Sequence, residues 1–467
     1  GFSNKGMITV ALLFLVSEGI RQSGTLGQVI KKLLPQGKTT VFKAQLRILP
    51  SVAFISAFLN NTPVVVIFAP IIKHWAKSVK LPATKFLIPL SYVTILGGIC
   101  TLIGTSTNLV VHGMILEAGY EGFTMFELGK VGIFIAIAGI IYLFIFSKRL
   151  LPDARPDTAV PDEEVEEGEK LHRVEAVLGA RFPGINKKLS DFNFQRHYGA
   201  EVKEIKTRNG QRYVDHLEDV VLREGDTLVV MADDTFIPTW GESSVFVLLT
   251  NGNDPDTSGK KKRWLALILL VLMIVGATVG ELPATKEMFP DIKLDMFFFV
   301  CITTIIMAWT NIFPARKYTK YISWDILITI ACAFAISKAM VNSGVADCVA
   351  GFIIGLSDDY GPHVLLAILF VITNLFTELI TNNAAAALAF PLALSISAQL
   401  GVSPTPFFVV ICMAASASFS TPIGYQTNLI VQGIGNYKFT DFVRIGLPLN
   451  IITFLISVIL IPLIWNF

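Results

Sequence analysis

The sequence predicts a polytopic α-helical membrane protein made of two related halves with a small soluble domain between them. Of its 467 residues, 53% are hydrophobic and 16% are charged, and the mean hydropathy of +0.61 exceeds that of soluble globular proteins. Residues 3–30 match residues 323–350 with nine identities at a constant offset of 320. In addition, a pair of asparagines interrupts an apolar run twice, once in each half.

The asparagine pairs predict two re-entrant hairpins, with tips at Asn60-Asn61 and at Asn382-Asn383. Each pair separates two apolar segments: 45–59 from 64–78, and 362–380 from 384–399. The two segments of the first hairpin are shorter than the ~20 residues that cross a hydrocarbon core. Irregular backbone at membrane depth is tolerated only where protein or a wet cavity satisfies it. Two such interruptions at corresponding points of two halves favour a transport site at the bilayer midplane.

The other apolar segments predict membrane spans and one surface helix. Residues 25–35 form an amphipathic pattern typical of a helix along the membrane surface. The remaining apolar segments, in chain order, are 7–22, 84–103, 126–147, 264–281, 293–310, 322–342, 345–356, 405–420 and 441–465. Polar residues at 104–108 and 421–428 interrupt the apolar pattern, and we expect a broken helix at each.

Residues 153–262 differ from both halves and predict a small soluble α/β domain. They contain an acidic run, alternating strand patterns and a hairpin turn signal at Asn209-Gly210. The predicted domains are therefore a first membrane repeat at 1–152, the linker and soluble domain at 153–262, and a second repeat at 263–467. Residues 264–310 have no counterpart before residue 1, so about two helices are expected to be missing at the N-terminus.

Positive charge predicts the orientation of the chain. Lysines and arginines flank the soluble domain at 148–149 and 260–263, which by the positive-inside rule places this domain in the cytoplasm. Lysines and arginines also surround the base of the first hairpin, whereas the stretch between Met340 and Tyr437 contains no lysine or arginine. The hairpins should then enter from opposite sides, so that the repeats have inverted topology and the C-terminus is external.

The tips and breaks offer amides, hydroxyls and backbone carbonyls but no lysine or arginine. Such oxygens suit a hard monovalent cation, and freed helix N-termini suit an anion. Co-bound cations would have to offset the charge of the anion, which is the physical case for sodium coupling. The alternative is that these side chains only hold packed helices together. Glu378, close to the second tip, is either a proton or sodium ligand or a structural partner of a neighbouring hydroxyl or helix N-terminus.

Four motifs resemble the divalent-anion:sodium symporter (DASS) family, in the branch that carries TrkA-C domains and is linked to sulfate uptake. They are FLNNTPVVVIFAP, GGICTLIGTSTNLVVHG, ELITNNAAAALAFP and SASFSTPIGYQTNLIVQG. The soluble segments VEAVLGARFPGINKKLSDFNFQRHYGAEVKEIK and LREGDTLVVMAD resemble a TrkA-C module. Such modules dimerise, and either a small regulatory ligand or a purely structural role is implied.

The resemblance implies a sodium-coupled importer of a divalent anion that works by elevator motion as a homodimer in the cell membrane. Sodium is implied at Ser56, Asn60, Asn61, Gly104 and Asn108, and in mirror position at Thr377, Asn382, Gly424 and Asn428. The anion is implied at Asn61, Thr62, Thr105, Ser106, Thr107, Asn382, Asn383, Tyr425, Gln426 and Thr427. No organic cofactor and no nucleic acid partner is expected.

The tip sequences bear on the substrate. Family members that carry dicarboxylates have Ser-Asn-Thr at both tips, whereas this chain has NNT at 60–62 and NNA at 382–384. The missing hydroxyl at Ala384 favours a compact anion such as sulfate, with a sodium/dicarboxylate symporter as the alternative. A channel gated by the soluble module is a rival, although the chain has no TVGYG-type filter. An enzyme is disfavoured because HExxH, GxSxG and P-loop motifs are absent from the sequence.

Overall fold

Helices dominate the computed structural model of the chain. It describes residues 5–35, 37–153, 171–179, 181–207, 211–233, 236–240, 245–250, 260–288, 293–355 and 361–467.

The first membrane half, as far as it is described, consists of helices joined by short loops. These are α1 (Lys5–Gln22), α2 (Thr25–Leu33), α3 (Val41–Ser56), α4 (Asn61–Ser78), α5 (Leu87–Gly98), α6 (Ser106–Glu117) and α7 (Gly129–Leu150). The predicted short amphipathic helix is confirmed as α2, which buries Leu26 and Ile30. Pro63 lies in the first turn of α4, where its missing N–H costs no helical hydrogen bond.

The predicted strands of the soluble domain are confirmed. The elements are β1 (His172–Leu178), α8 (Phe194–Tyr198), β2 (Glu201–Lys206), β3 (Arg212–Tyr213), β4 (Thr227–Ala232), α9 (Phe236–Trp240) and β5 (Phe246–Thr250). The strands form an antiparallel sheet in the order β3-β2-β4-β1-β5. Strands β2 and β3 pair as a hairpin, while the predicted Asn209-Gly210 turn itself lies outside the described residues.

The second half begins with four additional described helices, the first of them long, and then repeats the helix order of the first half. It consists of α10 (Lys260–Gly280), α11 (Pro283–Met288), α12 (Met296–Trp309), α13 (Tyr318–Tyr321), α14 (Trp324–Asn342), α15 (Val345–Gly355), α16 (Gly361–Leu379), α17 (Asn382–Leu400), α18 (Thr405–Ser416), α19 (Gln426–Gly435) and α20 (Phe439–Ile464). Helices α1 to α6 correspond in order to α14 to α19. Asn61 and Asn382 each begin a helix, as do Ser106 and Gln426.

The helices identify a multi-pass membrane protein. Within the described ranges, five are long and apolar enough to cross a membrane: 129–150, 261–280, 361–379, 382–400 and 439–464. A sixth span results if 326–342 and 345–355, which meet at 71°, count as one broken span. The helices on either side of the two breaks are too short to span a bilayer alone, as expected for broken helices. The arms of the second predicted hairpin, 361–379 and 382–400, are by contrast among the five long helices.

Helices α7 and α20 pack against each other in opposite directions. The Trp465 indole, just after α20, donates a hydrogen bond to Glu127 just before α7 (3.2 Å). Further along, the Tyr142 hydroxyl of α7 donates to the Ile445 carbonyl near the start of α20 (3.0 Å). The start of α7 therefore lies at the end of α20, and the final helices of the two halves are antiparallel.

The soluble domain lies against two membrane helices, α4 and α19. Glu175 in β1 pairs with the Lys73 ammonium of α4 at 2.9 Å. A Cβ added to Gly433 in α19 would clash with the Thr227 hydroxyl of β4, and Val177 of β1 is buried in the apolar core of the membrane part. The sheet is thus packed directly on these helices.

Candidate functional site

At each hairpin tip a short connection leads into a helix that begins with an asparagine, but the connections differ in length and capping. Helix α3 ends at Ser56 and α4 begins at Asn61, while α16 ends at Leu379 and α17 begins at Asn382. The N-cap residues are Asn60, whose side chain makes no capping bond, and Thr381, whose hydroxyl accepts the Ala384 N–H at 3.4 Å. The helix starts make Asn61 the equivalent of Asn382.

This register corrects the expectation about Ala384. Because Asn382 takes the place of Asn61, Asn383 takes the place of Thr62, and Ala384 takes the place of Pro63. The two tips therefore read NNT and TNN, and the position of the Thr62 hydroxyl holds an amide in the second half. Matching the letters NNT to NNA was wrong by one residue, so the inference of a missing polar group at the second tip fails.

The loops of the two broken helices are held by equivalent hydrogen bonds. The Thr101 hydroxyl accepts the Gly104 N–H at 3.2 Å, and the Thr421 hydroxyl accepts the Gly424 N–H at the same distance. Each hydroxyl also donates to a carbonyl next to a hairpin tip. The Thr101 hydroxyl donates to Ala57, and the Thr421 hydroxyl donates to Glu378 at 3.0 Å. Each break is thereby fixed to the hairpin tip of its own half.

Glycines allow carbonyl oxygens to gather where tip and break meet. A Cβ at Gly104 would lie 2.5 Å from the Gly98 carbonyl oxygen and 2.9 Å from that of Ala57. At Gly424 a Cβ would lie 2.5 Å from the Thr377 carbonyl oxygen and would clash with the Ser418 hydroxyl. Any side chain would displace these oxygens, which are the ligand type that a hard cation prefers.

Asn108 and Asn428 brace the two breaks in the same way, with one difference. The Asn108 amide donates to the Thr101 carbonyl at 2.9 Å, and the Asn428 amide donates to the Thr421 carbonyl at 3.1 Å. The Asn428 Oδ1 accepts the Ser91 hydroxyl at 2.7 Å, whereas the buried Asn108 Oδ1 has no hydrogen-bond partner among the described residues. A buried, unpaired carbonyl oxygen is costly, and it fits the donor set of a sodium ligand.

The tip of each half contacts the break of the other half. The Asn61 amide donates to the Tyr425 hydroxyl at 2.6 Å, and the Thr62 hydroxyl donates to Gln426 at 3.3 Å. In the opposite direction, the Ser106 and Thr107 hydroxyls both donate to the Asn383 Oδ1 at 3.3 Å. These crossed contacts bring the predicted anion residues of both halves into one cluster.

The Tyr425 hydroxyl lies at the centre of this cluster. Besides the bond from Asn61, it lies 3.0 Å from the Thr105 hydroxyl, and the Asn382 side chain is close enough to interact with it electrostatically. One phenol oxygen therefore interacts with both tips and the opposite break.

Four helix N-termini meet at the cluster, those of α4, α6, α17 and α19. The N-cap side chains of α4, α6 and α19 are Asn60, Thr105 and Tyr425, and none makes a capping hydrogen bond. Their first-turn N–H groups are left uncapped by these side chains, and each helix end carries a partial positive charge. Several such ends directed at one place favour an anion.

The remaining predicted residues differ in their contacts. The Ser56 hydroxyl donates to the Asn61 Oδ1 at 2.8 Å, whereas the Thr377 hydroxyl donates to the Ala415 carbonyl of α18 at 2.6 Å. The Thr427 and Ser91 hydroxyl oxygens lie 2.8 Å apart. Asn60 lines a cavity of about 20 Å³, together with Ser17 of α1 and Ser106 of α6.

Glu378 is held by donors around the second break. Its carboxylate accepts the Ser420 N–H at 2.8 Å and the Asn450 amide of α20 at 2.7 Å. The Ser418 hydroxyl, a partner of the kind expected for a structural role, lies 3.5 Å from this carboxylate, and the two shorter bonds come from a loop N–H and an amide.

Sequence reasoning singled out the tips but missed Ser91 and Asn450, and it did not assign a bonding role to Thr101 or to Thr421, the first residue of the second predicted break. The two threonines were detectable, because they are identical residues at the repeat offset of 320. Ser91 and Asn450 have no such signal, since their contacts depend on how the two halves pack.

Comparison with known proteins agrees with this architecture. A family model described as a citrate transporter matches residues 1–400 and 291–467, which together span the whole chain. An uncharacterised transporter of Synechocystis sp. is 29% identical over all of this chain and 90% of its own length. A sodium/sulfate cotransporter of Chlamydomonas reinhardtii is 30% identical over 60% of this chain and 31% of its own length. A sodium-dependent dicarboxylate transporter of Staphylococcus saprophyticus is 25% identical over 31% of this chain and 28% of its own length.

Proposed function

The chain belongs to the citrate transporter family, and from this premise we propose that it is a secondary-active symporter that imports sulfate together with sodium. The observation that carries the proposal is the crossed contact of tips and breaks, Asn61 with Tyr425 and Asn383 with Ser106. It joins uncapped helix N-termini and neutral donors in one buried cluster. The name of the Chlamydomonas relative supports both sulfate and sodium.

Sodium follows from the charge of the cluster. The tips and breaks contain amides and hydroxyls, and residues 56–62, 98–108, 377–383 and 416–428 include no lysine or arginine. Helix ends supply only partial positive charge, so a divalent anion needs bound cations to become neutralised. We assign one cation to the oxygens around Gly104, with Asn108 Oδ1 as a ligand, and its counterpart to the oxygens around Gly424, where the Ser91 hydroxyl already occupies Asn428 Oδ1.

Alternating access requires two states, and the proposed inverted repeat supplies a route between them. The inverted repeat is supported by the last helices of the two halves, α7 and α20, which run antiparallel to each other. The halves also pack unequally: α1 lies against α6, whereas its equivalent α14 lies mainly against α17. An elevator movement would exchange these two arrangements. The homodimer, the cytoplasmic side of the soluble domain and the external C-terminus are proposed from the resemblance and the charge pattern alone.

A dicarboxylate is the second candidate substrate. In the corrected register Asn383 takes the place of Thr62, so the second tip has an amide where the first tip has a hydroxyl. That amide could hold a second carboxylate, and the Staphylococcus relative is named for dicarboxylates.

Uptake into proteoliposomes tests the proposal. We expect labelled sulfate to accumulate with saturating kinetics under an inward sodium gradient, to stop when the gradient is abolished, and to resist excess succinate. Sodium-dependent succinate uptake without sulfate uptake would favour the second candidate. Non-saturating flux that ignores the sodium gradient would contradict symport and favour a channel.

A further inference from the structure

Tyr425 breaks the symmetry of the cluster. At the repeat offset of 320 its equivalent is Thr105, and each is the N-cap residue of the helix after a break. The two side chains meet, with their hydroxyl oxygens 3.0 Å apart. One half thus contributes a short hydroxyl at this point, and the other half a hydroxyl carried on an aromatic ring.

The ring occupies the interior of the cluster. Tyr425 is 8% exposed, Thr105 is 1% exposed, and Asn61, which donates to the phenol, is fully buried. A threonine in both places would leave the volume of the ring free between the tips. The ring carries its hydroxyl to Asn61 of the first tip and to Thr105 of the first break, with the Asn382 side chain nearby.

We propose that Tyr425 is the residue that sets substrate size in this site. This inference rests on the proposed function. The ring limits the length of the pocket, so that a compact tetrahedral oxyanion fits and a dicarboxylate with a carbon chain does not. On binding, the Tyr425 hydroxyl turns its proton from its protein partners to an oxygen of the anion. The Asn61 amide, which now donates to the phenol, donates to a second oxygen.

Sulfate suits this pair of donors. A fully ionised oxyanion offers only acceptors, and a hydrogen bond to a charged group is worth more than one between neutral groups. The Asn61 amide nitrogen and the Tyr425 phenol oxygen lie 2.6 Å apart. Their N–H and O–H groups provide two donors at one end of the pocket.

Two substitutions separate the roles of the ring and the hydroxyl. Tyr425→Phe keeps the ring and removes the donor, so we expect the KM for sulfate to rise about tenfold while succinate stays excluded. Tyr425→Thr restores equivalence with Thr105 and frees space, so the ratio of succinate to sulfate uptake should rise about tenfold or more. Tyr142→Phe is the matched control, since it removes a buried phenol hydroxyl outside the cluster.

The outcomes distinguish this inference from the proposed function. If wild-type protein transports neither sulfate nor succinate, the proposed function is wrong. If wild type transports sulfate but Tyr425→Phe keeps its KM and Tyr425→Thr keeps its substrate ratio, only the role of Tyr425 is overturned. Should Tyr425→Thr fail to fold, as judged by size-exclusion chromatography, the ratio of succinate to sulfate uptake in Tyr425→Leu, which also removes the ring, decides.

Discussion

At the scale of single residues, the site is built mostly from uncharged polar groups that act in equivalent pairs. Thr101 and Thr421 make matching bonds, and so do Asn108 and Asn428. Glu378 is the exception, since Ala57 takes its place in the first half. A carboxylate beside one tip but not the other can serve either the coupling ion or the structure of the second half.

The bonds of Glu378 favour the structural role. In Glu378→Gln the neutral amide is a weaker acceptor for the Ser420 N–H and the Asn450 amide. We expect a loss of roughly 1–3 kcal/mol in stability, measured as a lower melting temperature in detergent, with unchanged dependence of uptake on sodium concentration. Glu121→Gln, at an exposed position, is the control. A changed sodium dependence at unchanged stability would instead identify Glu378 as a coupling ligand.

At the scale of elements, nearly every membrane helix was predicted from two features of the sequence. These are the hydrophobic pattern and the positions of glycine, proline and asparagine. The interruptions at 60–61, 104–108, 381–383 and 421–428 were recognisable because polar residues stop a run that lipid requires to be apolar. Their register was also present in the sequence, because Asn61 and Asn382 each precede a proline, Pro70 and Pro391, by nine residues. The comparison of NNT with NNA used the other register, and the helix starts at Asn61 and Asn382 show that it was wrong.

The contacts between elements could not be predicted from sequence. The unequal packing of α1 on α6 and of α14 on α17 involves helices with equivalent sequences. Likewise, no local pattern marks Tyr425 as the partner of Asn61, which lies 364 residues away. Such contacts follow from the relative position of the two halves, and composition and periodicity do not encode it.

At the scale of the whole molecule, the soluble domain is connected to the proposed site through α4 and α19. Both helices begin at the cluster, and both contact the domain further along their length. Burial would raise the pKa of Glu175, but the ammonium groups of Lys73 and Lys206 outweigh it and hold the pKa at about 2. The side chains of the pair remain 21% and 17% exposed, so water and salt weaken it in part.

Removing the charge of Lys73 should loosen the domain. In Lys73→Met the partly buried Glu175 keeps Lys206 as its remaining cationic partner among the described residues, and we expect faster hydrogen exchange in β1 and easier proteolytic release of the domain. Lys77→Met, an exposed position one turn further along α4, should change neither. Equal exchange rates in Lys73→Met and wild type would show that the ion pair does not hold the domain.

The same pair predicts how docking depends on pH. Because the pKa of Glu175 lies below its unfolded value of roughly 4.3, the stabilisation is complete above that value and is lost as the pH falls toward about 2. Hydrogen exchange in β1, corrected for its intrinsic pH dependence, should therefore be constant between pH 8 and pH 5. A loss of protection near pH 6 would contradict this assignment.

The central claim is that the two hairpin tips form one pocket, and a double-mutant cycle on sulfate uptake tests it most directly. Asn61→Ala and Asn382→Ala each remove a partner of the Tyr425 hydroxyl. We predict that each raises the KM for sulfate about tenfold, and that the double variant raises it by clearly less than the product of the two, because the residues share a partner. Wild-type uptake by either single variant, or effects that multiply fully, would contradict a shared pocket.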